Sequence, residues 1–88
     1  MKNPKQLERQ LKGVANHWRI KILELIAEEQ DLNLDLITEK VGGNIKTISE
    51  HTKKLHQAGL IEKKYLSKHV LHKLSSDGKN LYRFLKSF

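Results

Sequence analysis

The chain has 88 residues, of which 38% are apolar and 31% are charged, and its net charge is +7. A chain of this length forms one compact domain that buries only about 60–65% of its unfolded surface, and the lack of cysteine excludes a disulfide framework or a thiolate metal site as additional support. No apolar run approaches the roughly 20 residues that span a bilayer, and the N-terminus lacks the apolar core of a signal peptide, so we expect a cytoplasmic protein without membrane association.

The positive charge is concentrated in the second half of the chain. Residues 1–43 contain seven basic and seven acidic residues, which cancel, whereas residues 44–88 contain ten basic and three acidic residues. The difference of 10 minus 3 accounts for the whole net charge of +7. Such segregation is typical of a surface that lies against phosphates, so the distribution favours a polyanionic partner.

The first part of the chain predicts two helices. Asn3 followed by Pro4 is typical of a helix N-terminus, and apolar residues at helical spacing continue to about residue 14. Asn16 is a second capping residue. The broad apolar stripe that follows it, from Ile20 to Ala27, indicates a helix in the centre of the fold.

A short strand and a helix-turn-helix are predicted next. Residues 32–34 alternate in polarity as a brief strand does, and Asp35 can cap a short helix that ends at Val41. The segment Gly42–Asn44 indicates a sharp turn, because glycine adopts positive φ without strain and asparagine starts helices well. The helix-turn-helix therefore spans about residues 35–58.

The rest of the chain predicts a hairpin and a last helix. Apolar residues flank the polar pair Ser67 and Lys68 and indicate two strands over about residues 60–74, the wing. Ser75 or Ser76 can open a helix that reaches about residue 87. The fold class is thus mainly α with a small β-hairpin (α+β). The element order of helix, helix, strand, helix, helix, strand, strand and helix predicts one winged helix-turn-helix domain over residues 1–88.

Two segments resemble the ArsR-type transcriptional regulators. Val14–Leu23 is similar to the start of their second helix, in which alanine, aspartate or asparagine, and proline precede an arginine. Ile48–Leu55, followed by Ala58–Ile61, is similar to their recognition helix, in which serine and histidine precede an alanine-glycine-leucine turn. The resemblance implies a winged helix-turn-helix that binds DNA as a dimer.

The sequence also departs from that family. His17 and Trp18 occupy the positions of the usual proline and the residue after it, and Thr52 replaces an apolar residue. The cysteine pair of the metal-sensing members is missing at 32–35, which excludes a thiolate metal sensor of that design. The segment after the wing, Leu74–Lys79, looks more like the corresponding segment of MarR-like regulators.

The helix after the glycine turn is the candidate recognition helix. Its helical wheel predicts that Ile45, Ile48, Thr52 and Leu55 are buried, with the Thr52 hydroxyl bonded to the Ile48 carbonyl. The other residues provide donors and acceptors that suit base edges and phosphates. Glu50 either accepts from a base or pairs with a neighbouring lysine, Lys46 or Lys53. The candidate DNA contacts on this helix are Lys46, Thr47, Ser49, Glu50, Lys53 and Lys54. The alternative is an ordinary solvated amphipathic helix.

The hairpin carries a second group of candidate DNA contacts. These side chains are basic or become basic on protonation, and they are expected to lie along phosphates or the minor groove. They are Lys63, Lys64, Lys68, His69 and Lys73. The alternative is that the lysines protect an exposed edge strand from pairing with another chain.

The terminal helices, about 4–14 and 76–87, are the candidate dimer surface. Their apolar stripes are larger than a domain of this size readily covers. The residues are Leu7, Leu11, Val14, Leu81, Phe84, Leu85 and Phe88. A twofold dimer would place two recognition helices about 34 Å apart, which predicts an inverted repeat in the DNA. The alternative is that both stripes cover the domain's own core.

The histidines do not predict a metal site. His51 and His56 diverge around a helix, and His69 and His72 fall on opposite faces of a strand. All four are expected to gain charge below about pH 6.5 and to strengthen DNA binding there. No arrangement of nucleophile, base and oxyanion donor is present, so we expect neither enzymatic activity nor a cofactor.

The sequence therefore predicts a homodimeric transcriptional regulator, expected to be a repressor, that binds double-stranded DNA sequence-specifically. The helix at 45–58 is expected in the major groove, and the wing at 60–74 is expected on the backbone or in the minor groove. The alternative is a winged-helix protein-interaction module whose basic face binds an acidic partner. The operator and any effector are not specified by the sequence.

Overall fold

The computed structural model describes residues 1–88 and contains five helices and two strands. In chain order these are α1 Pro4–Val14, α2 His17–Glu28, α3 Leu34–Val41, α4 Ile45–Gln57, β1 Ile61–Leu66, β2 His69–Leu74 and α5 Ser76–Lys86. The two strands form one antiparallel hairpin. The mainly helical fold class with a small hairpin is confirmed, as is the arrangement of a winged helix.

The strand predicted at residues 32–34 is reduced to a single bridge. Leu32 pairs with His72, whose backbone N–H donates to the Leu32 carbonyl at 3.0 Å. The segment extends no further because Asn33 caps α3, which already begins at Leu34. Asp35, the predicted cap, lies in the first turn of α3, where its negative charge interacts favourably with the positive end of the helix dipole.

Every helix begins at a side chain that accepts hydrogen bonds from backbone N–H groups of the first turn. Asn3, Asn16 and Asn44 fill this position for α1, α2 and α4, and Ser75 fills it for α5. These caps agree with the sequence analysis. They satisfy donors that a helix leaves unpaired, and each contributes about 1 kcal/mol.

The core is a single cluster of thirteen buried apolar residues centred on α2. Ile22, Leu23 and Ile26 on α2 are buried, and this helix contacts all four other helices and strand β2. The broad apolar stripe predicted for this segment is therefore explained, because α2 is covered on several sides. Trp18 packs against this cluster, close to the turn between α3 and α4.

That turn depends on Gly42, whose φ of +75° lies in the left-handed region. Its N–H and that of Gly43 both donate to the Thr38 carbonyl, which ends α3 and reverses the chain. Lys21 on α2 donates to the Val41 carbonyl at 3.3 Å. The start of α4 is thus held at a defined position relative to α2 and α3.

The hairpin pairs Ile61 with Leu74 at its base and Leu66 with His69 at its tip. Ile61 and Leu74 are buried, so the base belongs to the core. Ser67 in the connecting turn has a positive φ of 57°. None of the helices in the structure is long and apolar enough to cross a membrane.

Candidate nucleic-acid interface

One face of α4 is buried in the core and the other is open to solvent. Ile48 is 1% exposed, and Thr52 and Leu55 are also buried. The Thr52 hydroxyl donates to the Ile48 carbonyl at 2.8 Å, as predicted. The polar atom of Thr52 is thereby satisfied, so the helix packs on the core with no cost from an unpaired hydroxyl.

All six predicted contact residues of α4 are exposed. These residues are Lys46, Thr47, Ser49, Glu50, Lys53 and Lys54. Glu50 forms no ion pair, because the salt bridges of the chain join Lys2 to Asp77, Lys12 to Glu8 and Lys40 to Glu29. The predicted pairing of Glu50 with Lys46 or Lys53 is therefore absent, and the carboxylate is free to accept from a ligand.

The burial that the helical wheel predicts for Ile45 is wrong. It was expected in the core but is 48% exposed. Although it points in nearly the same direction as Ile48, it is the first residue of α4, and at this end of the helix its side chain is left half uncovered. The N-terminus of α4 thus presents an apolar side chain next to Lys46 and Thr47.

The five wing residues do not form one surface. The strand register places Lys64, His69 and Lys73 on the outer face of the hairpin, while Lys63 pairs with the buried His72 on the face towards the body. Lys68 lies in the turn at the tip. The wing therefore offers charge on its outer face and at its tip, where Lys68 and His69 also line one concavity with Lys63.

His72 is part of the structure and not of a charged surface. It is 3% exposed, and its Nδ1 lies 2.7 Å from the Leu32 carbonyl, which can only accept, so Nδ1 carries the proton. Burial lowers the pKa of His72. The expectation that His72 adds charge towards DNA in mild acid is wrong.

The pKa of His51 is also lowered. Its Nδ1 accepts a hydrogen bond from Arg19 Nε at 3.1 Å, so its proton is on Nε2. Burial, and then the positive charge of Arg19, lower the pKa of His51. Burial and Arg19 both act against protonation of His51 and so weaken the expectation for this residue, whereas added charge stays a prediction for the exposed His56 and His69.

Three cations that no sequence pattern marks as functional are brought to the side of α4 by the fold. Arg9 and Lys12 of α1 and Arg19 of α2 line a concavity of about 370 Å³ together with Lys54 of α4. They lie 35 or more residues before Lys54 in the chain. No local pattern indicates that they meet.

The predicted dimer residues fall into three environments. Leu7, Leu11, Phe84 and Phe88 are exposed, and Leu81 and Leu85 are partly covered by the core. Val14 is a correction, because it is only 5% exposed and belongs to the chain's own core. It lies at the end of α1, where that helix packs on α2 and α4.

An apolar groove of about 430 Å³ lies between α1 and α5. Leu7, Leu11 and Leu81 line it, together with Leu60 at the start of the hairpin. Lys2 and Gln10 also line the groove and contact Asp77 of α5, so apolar side chains of both terminal helices meet in a groove that polar contacts bridge.

Solved structures with the same fold are regulators of transcription. The homodimeric winged helix-turn-helix DNA-binding domain of a possible ArsR-family regulator from Mycobacterium bovis shares 25% identity, with 94% of this chain and 77% of that chain covered and a TM-score of 0.85. HlyU from Vibrio cholerae shares 24% identity, with 96% and 91% covered and a TM-score of 0.84. The transcriptional repressor BigR from Xylella fastidiosa shares 17% identity, with 94% and 82% covered and a TM-score of 0.81. A comparison with curated protein sequences gives no match.

The family model for winged helix-turn-helix DNA-binding domains matches residues 17–62. This match runs from the start of α2 through the helix-turn-helix into β1. It thus includes the buried face of α4 and all six of its exposed candidate residues. Because the match covers more than half of the sequence, the chain belongs to the winged helix-turn-helix DNA-binding family.

Proposed function

We propose that the chain is a single-domain, homodimeric transcriptional regulator of the ArsR type that binds double-stranded DNA sequence-specifically and acts as a repressor. The observation that carries the proposal is the division of α4. One face is fixed in the core through Ile48, Thr52 and Leu55, while the other exposes charged and hydrogen-bonding side chains. A rigidly held helix with such a face suits the major groove.

The N-terminal turns of α4 supply the contacts that read bases. Lysine donates to guanine O6 and N7, serine and threonine contact base edges or phosphates, and an unpaired carboxylate accepts from cytosine N4. Glu50 fits the last role because it has no ion pair. The exposed Ile45 adds an apolar surface that suits a thymine methyl group.

The wing provides contacts that position the protein on the duplex. Lys64, Lys68 and Lys73 lie at the tip or on the outer face of the hairpin. Lysines in such positions bind phosphates without reading sequence. Their binding releases counterions from the DNA, so the affinity falls as the salt concentration rises.

Three observations support a homodimer. The chain exposes 6074 Å² of surface, against about 5,300 Å² for a typical monomer of its 10.2 kDa mass. Exposed apolar residues line the outer faces of α1 and α5, and the similar Mycobacterium bovis domain is homodimeric. A twofold dimer would bind an inverted repeat.

DNA binding is tested with a mixed-sequence duplex over a salt series, using wild type and the Lys46→Ala/Lys53→Ala variant. The matched control is Lys79→Ala/Lys86→Ala, which removes the same charge from α5. We expect affinity to fall steeply with salt in the wild type and control, and to be at least tenfold lower in the α4 variant.

Two results would contradict the proposal. If salt does not weaken binding, the interaction is not with phosphates. If the α4 variant and the control lose affinity equally, only net charge matters and α4 is not the interface. Binding to an acidic protein with no affinity for DNA would favour the interaction module.

A further inference from the structure

A second basic surface lies beside α4, outside the helix-turn-helix and the wing. It is the concavity of about 370 Å³ between α1, the start of α2 and the C-terminal half of α4, here called the α1–α4 pocket. Its lining residues are Arg9, Lys12, Gly13, Arg19, Lys54, Gln57 and Ala58. Four of these seven residues are permanently or normally cationic, and none is acidic.

The close approach of α1 to α4 forms the pocket. A Cβ atom built on Gly13 would lie 2.4 Å from the Cβ of Ala58, so only glycine allows the two helices to come this close. The Arg9 guanidinium donates to the Gln57 carbonyl. Arg19 donates to the Lys12 and Gly13 carbonyls at 3.4 and 3.3 Å. The two arginines are therefore held in place, Arg9 by a backbone carbonyl of α4 and Arg19 by backbone carbonyls of α1.

The pocket has more positive charge than its surroundings neutralise. Arg9, Arg19 and Lys54 form no salt bridge, and Lys12 alone pairs with a carboxylate, that of the exposed Glu8, at 3.1 Å. The neighbouring His51 takes a hydrogen bond from Arg19 and adds no negative charge. Like charges that line one pocket repel each other, and a bound anion would relieve that repulsion.

The composition and position of the pocket both fit a phosphate group. Guanidinium groups bind phosphate oxygens through paired hydrogen bonds, and ammonium groups add point charge. Lys54 lies on the side of α4, and an α-helix about 10–12 Å wide fills a major groove about 12 Å wide, so the sides of the helix face the sugar-phosphate backbone.

We propose that the α1–α4 pocket binds one backbone phosphate of the DNA, at the edge of the groove that α4 enters. This inference rests on the proposed function and extends it, since it places α1 in the DNA interface. The contact carries no sequence information. It fixes how far α4 enters the groove, because the pocket is built on the same helix.

The test is the Arg9→Gln/Lys12→Gln variant in the full chain. Both side chains are exposed, and neither is in the core, so we expect the fold to persist. Arg19 is left intact because it bonds both α1 and His51 of α4, whereas Arg9→Gln keeps an amide donor where the guanidinium donates to the Gln57 carbonyl. Loss of one phosphate contact should flatten the slope of log affinity against log salt by about 0.9, and should weaken binding to every duplex by the same factor, roughly five- to tenfold at 0.1 M salt. The control Lys79→Gln/Lys86→Gln should leave the slope unchanged.

Rescue and competition identify the source of the phosphate. The charge-retaining Arg9→Lys/Lys12→Arg variant should restore the slope. A wild-type slope in Arg9→Gln/Lys12→Gln, with DNA binding otherwise intact, would overturn the pocket assignment alone. Absence of salt-dependent DNA binding by the wild type would overturn the proposed function as well. Inorganic phosphate that binds the wild type at constant ionic strength, while the variant keeps full DNA affinity, would assign the pocket to a free anion and overturn the DNA contact.

Discussion

Ile45 and Ile48 lie on the same side of α4 but in different environments. Ile48 is 1% exposed and Ile45 is 48% exposed. Truncation of a buried isoleucine leaves a cavity and costs about 2–5 kcal/mol, so we expect Ile48→Ala to lower the free energy of unfolding by that amount. Ile45→Ala should cost less than about 1 kcal/mol. Urea denaturation measures both, and equal losses would show that the start of α4 is covered.

His72 makes the stability depend on pH. Burial lowers its pKa in the folded chain, so the unfolded chain binds more protons below its usual value of about 6.5. The contribution of neutral His72 to the free energy of unfolding is therefore fully present above pH 6.5. It decreases as the pH falls from there through the lowered pKa of the folded state. His51 contributes in the same direction.

The variant His72→Gln tests this dependence. A glutamine amide can donate to the Leu32 carbonyl but does not titrate. We expect the decrease in unfolding free energy between pH 7.5 and pH 5 to be smaller in the variant than in the wild type. The same decrease in both proteins would mean that His72 ionises in the folded chain as it does in the unfolded chain.

At this scale the sequence predicts local interactions well. The caps at Asn3 and Asn16, and the Thr52 hydroxyl bond, depend on neighbours within four residues. Ile45 was misplaced because a helical wheel gives the direction of a side chain and not how far along the helix the covering elements extend. The lowered pKa of His51 could not be inferred because it depends on burial in the fold and then on Arg19, 32 residues earlier in the chain.

At the scale of elements, boundaries were predictable where a cap or glycine marks them. The turn at Gly42 lies where the sequence places it, and of the two serines that could open α5, Ser75 is the cap. The strand at 32–34 was overpredicted, because alternation over three residues does not show whether a partner strand continues alongside. The α1–α4 pocket was not predictable, because it depends on how closely two distant helices pack.

Gly13 tests that packing. Glycine to alanine in an ordinary helix interior stabilises a protein by about 0.5–1 kcal/mol. At Gly13 the added methyl group would meet Ala58, whose side chain cannot move away. We expect Gly13→Ala to lower the free energy of unfolding by about 1–3 kcal/mol instead, as overpacking does, and to weaken DNA binding. Chemical denaturation decides the sign, and a gain in stability would show that α1 has room on α4.

For the whole molecule, the count of charges along the sequence locates the basic excess correctly but does not show every basic surface of the fold. The excess in residues 44–88 includes the exposed lysines of α4 and the wing. Basic and acidic residues are equal in number in residues 1–43, so the count gives no sign of Arg9, Lys12 and Arg19. The fold brings these three residues together in a pocket without acidic residues. Charges that cancel in a count need not cancel in space.

The exposed apolar faces of α1 and α5 predict that the chain dimerises through these two helices. Leu11 is 53% exposed, so Leu11→Glu should leave the fold intact and shift the protein from dimer to monomer. Leu66→Glu is a matched control, because this leucine is 55% exposed but lies at the tip of the hairpin. Sedimentation equilibrium measures the dissociation constant. If both variants raise the dissociation constant equally, or if neither variant changes it, the dimer surface lies elsewhere.

The central claim is that α4 reads a DNA sequence, and selection from a random duplex library tests it most directly. We predict that the wild type enriches an inverted repeat with half-sites about one helical turn, roughly 10 base pairs, apart. Glu50→Gln should enrich the same repeat with a changed preference at one position of each half-site, since a carboxylate and an amide accept and donate differently at base edges. Binding without an enriched sequence, or an identical sequence for both proteins, would contradict the claim.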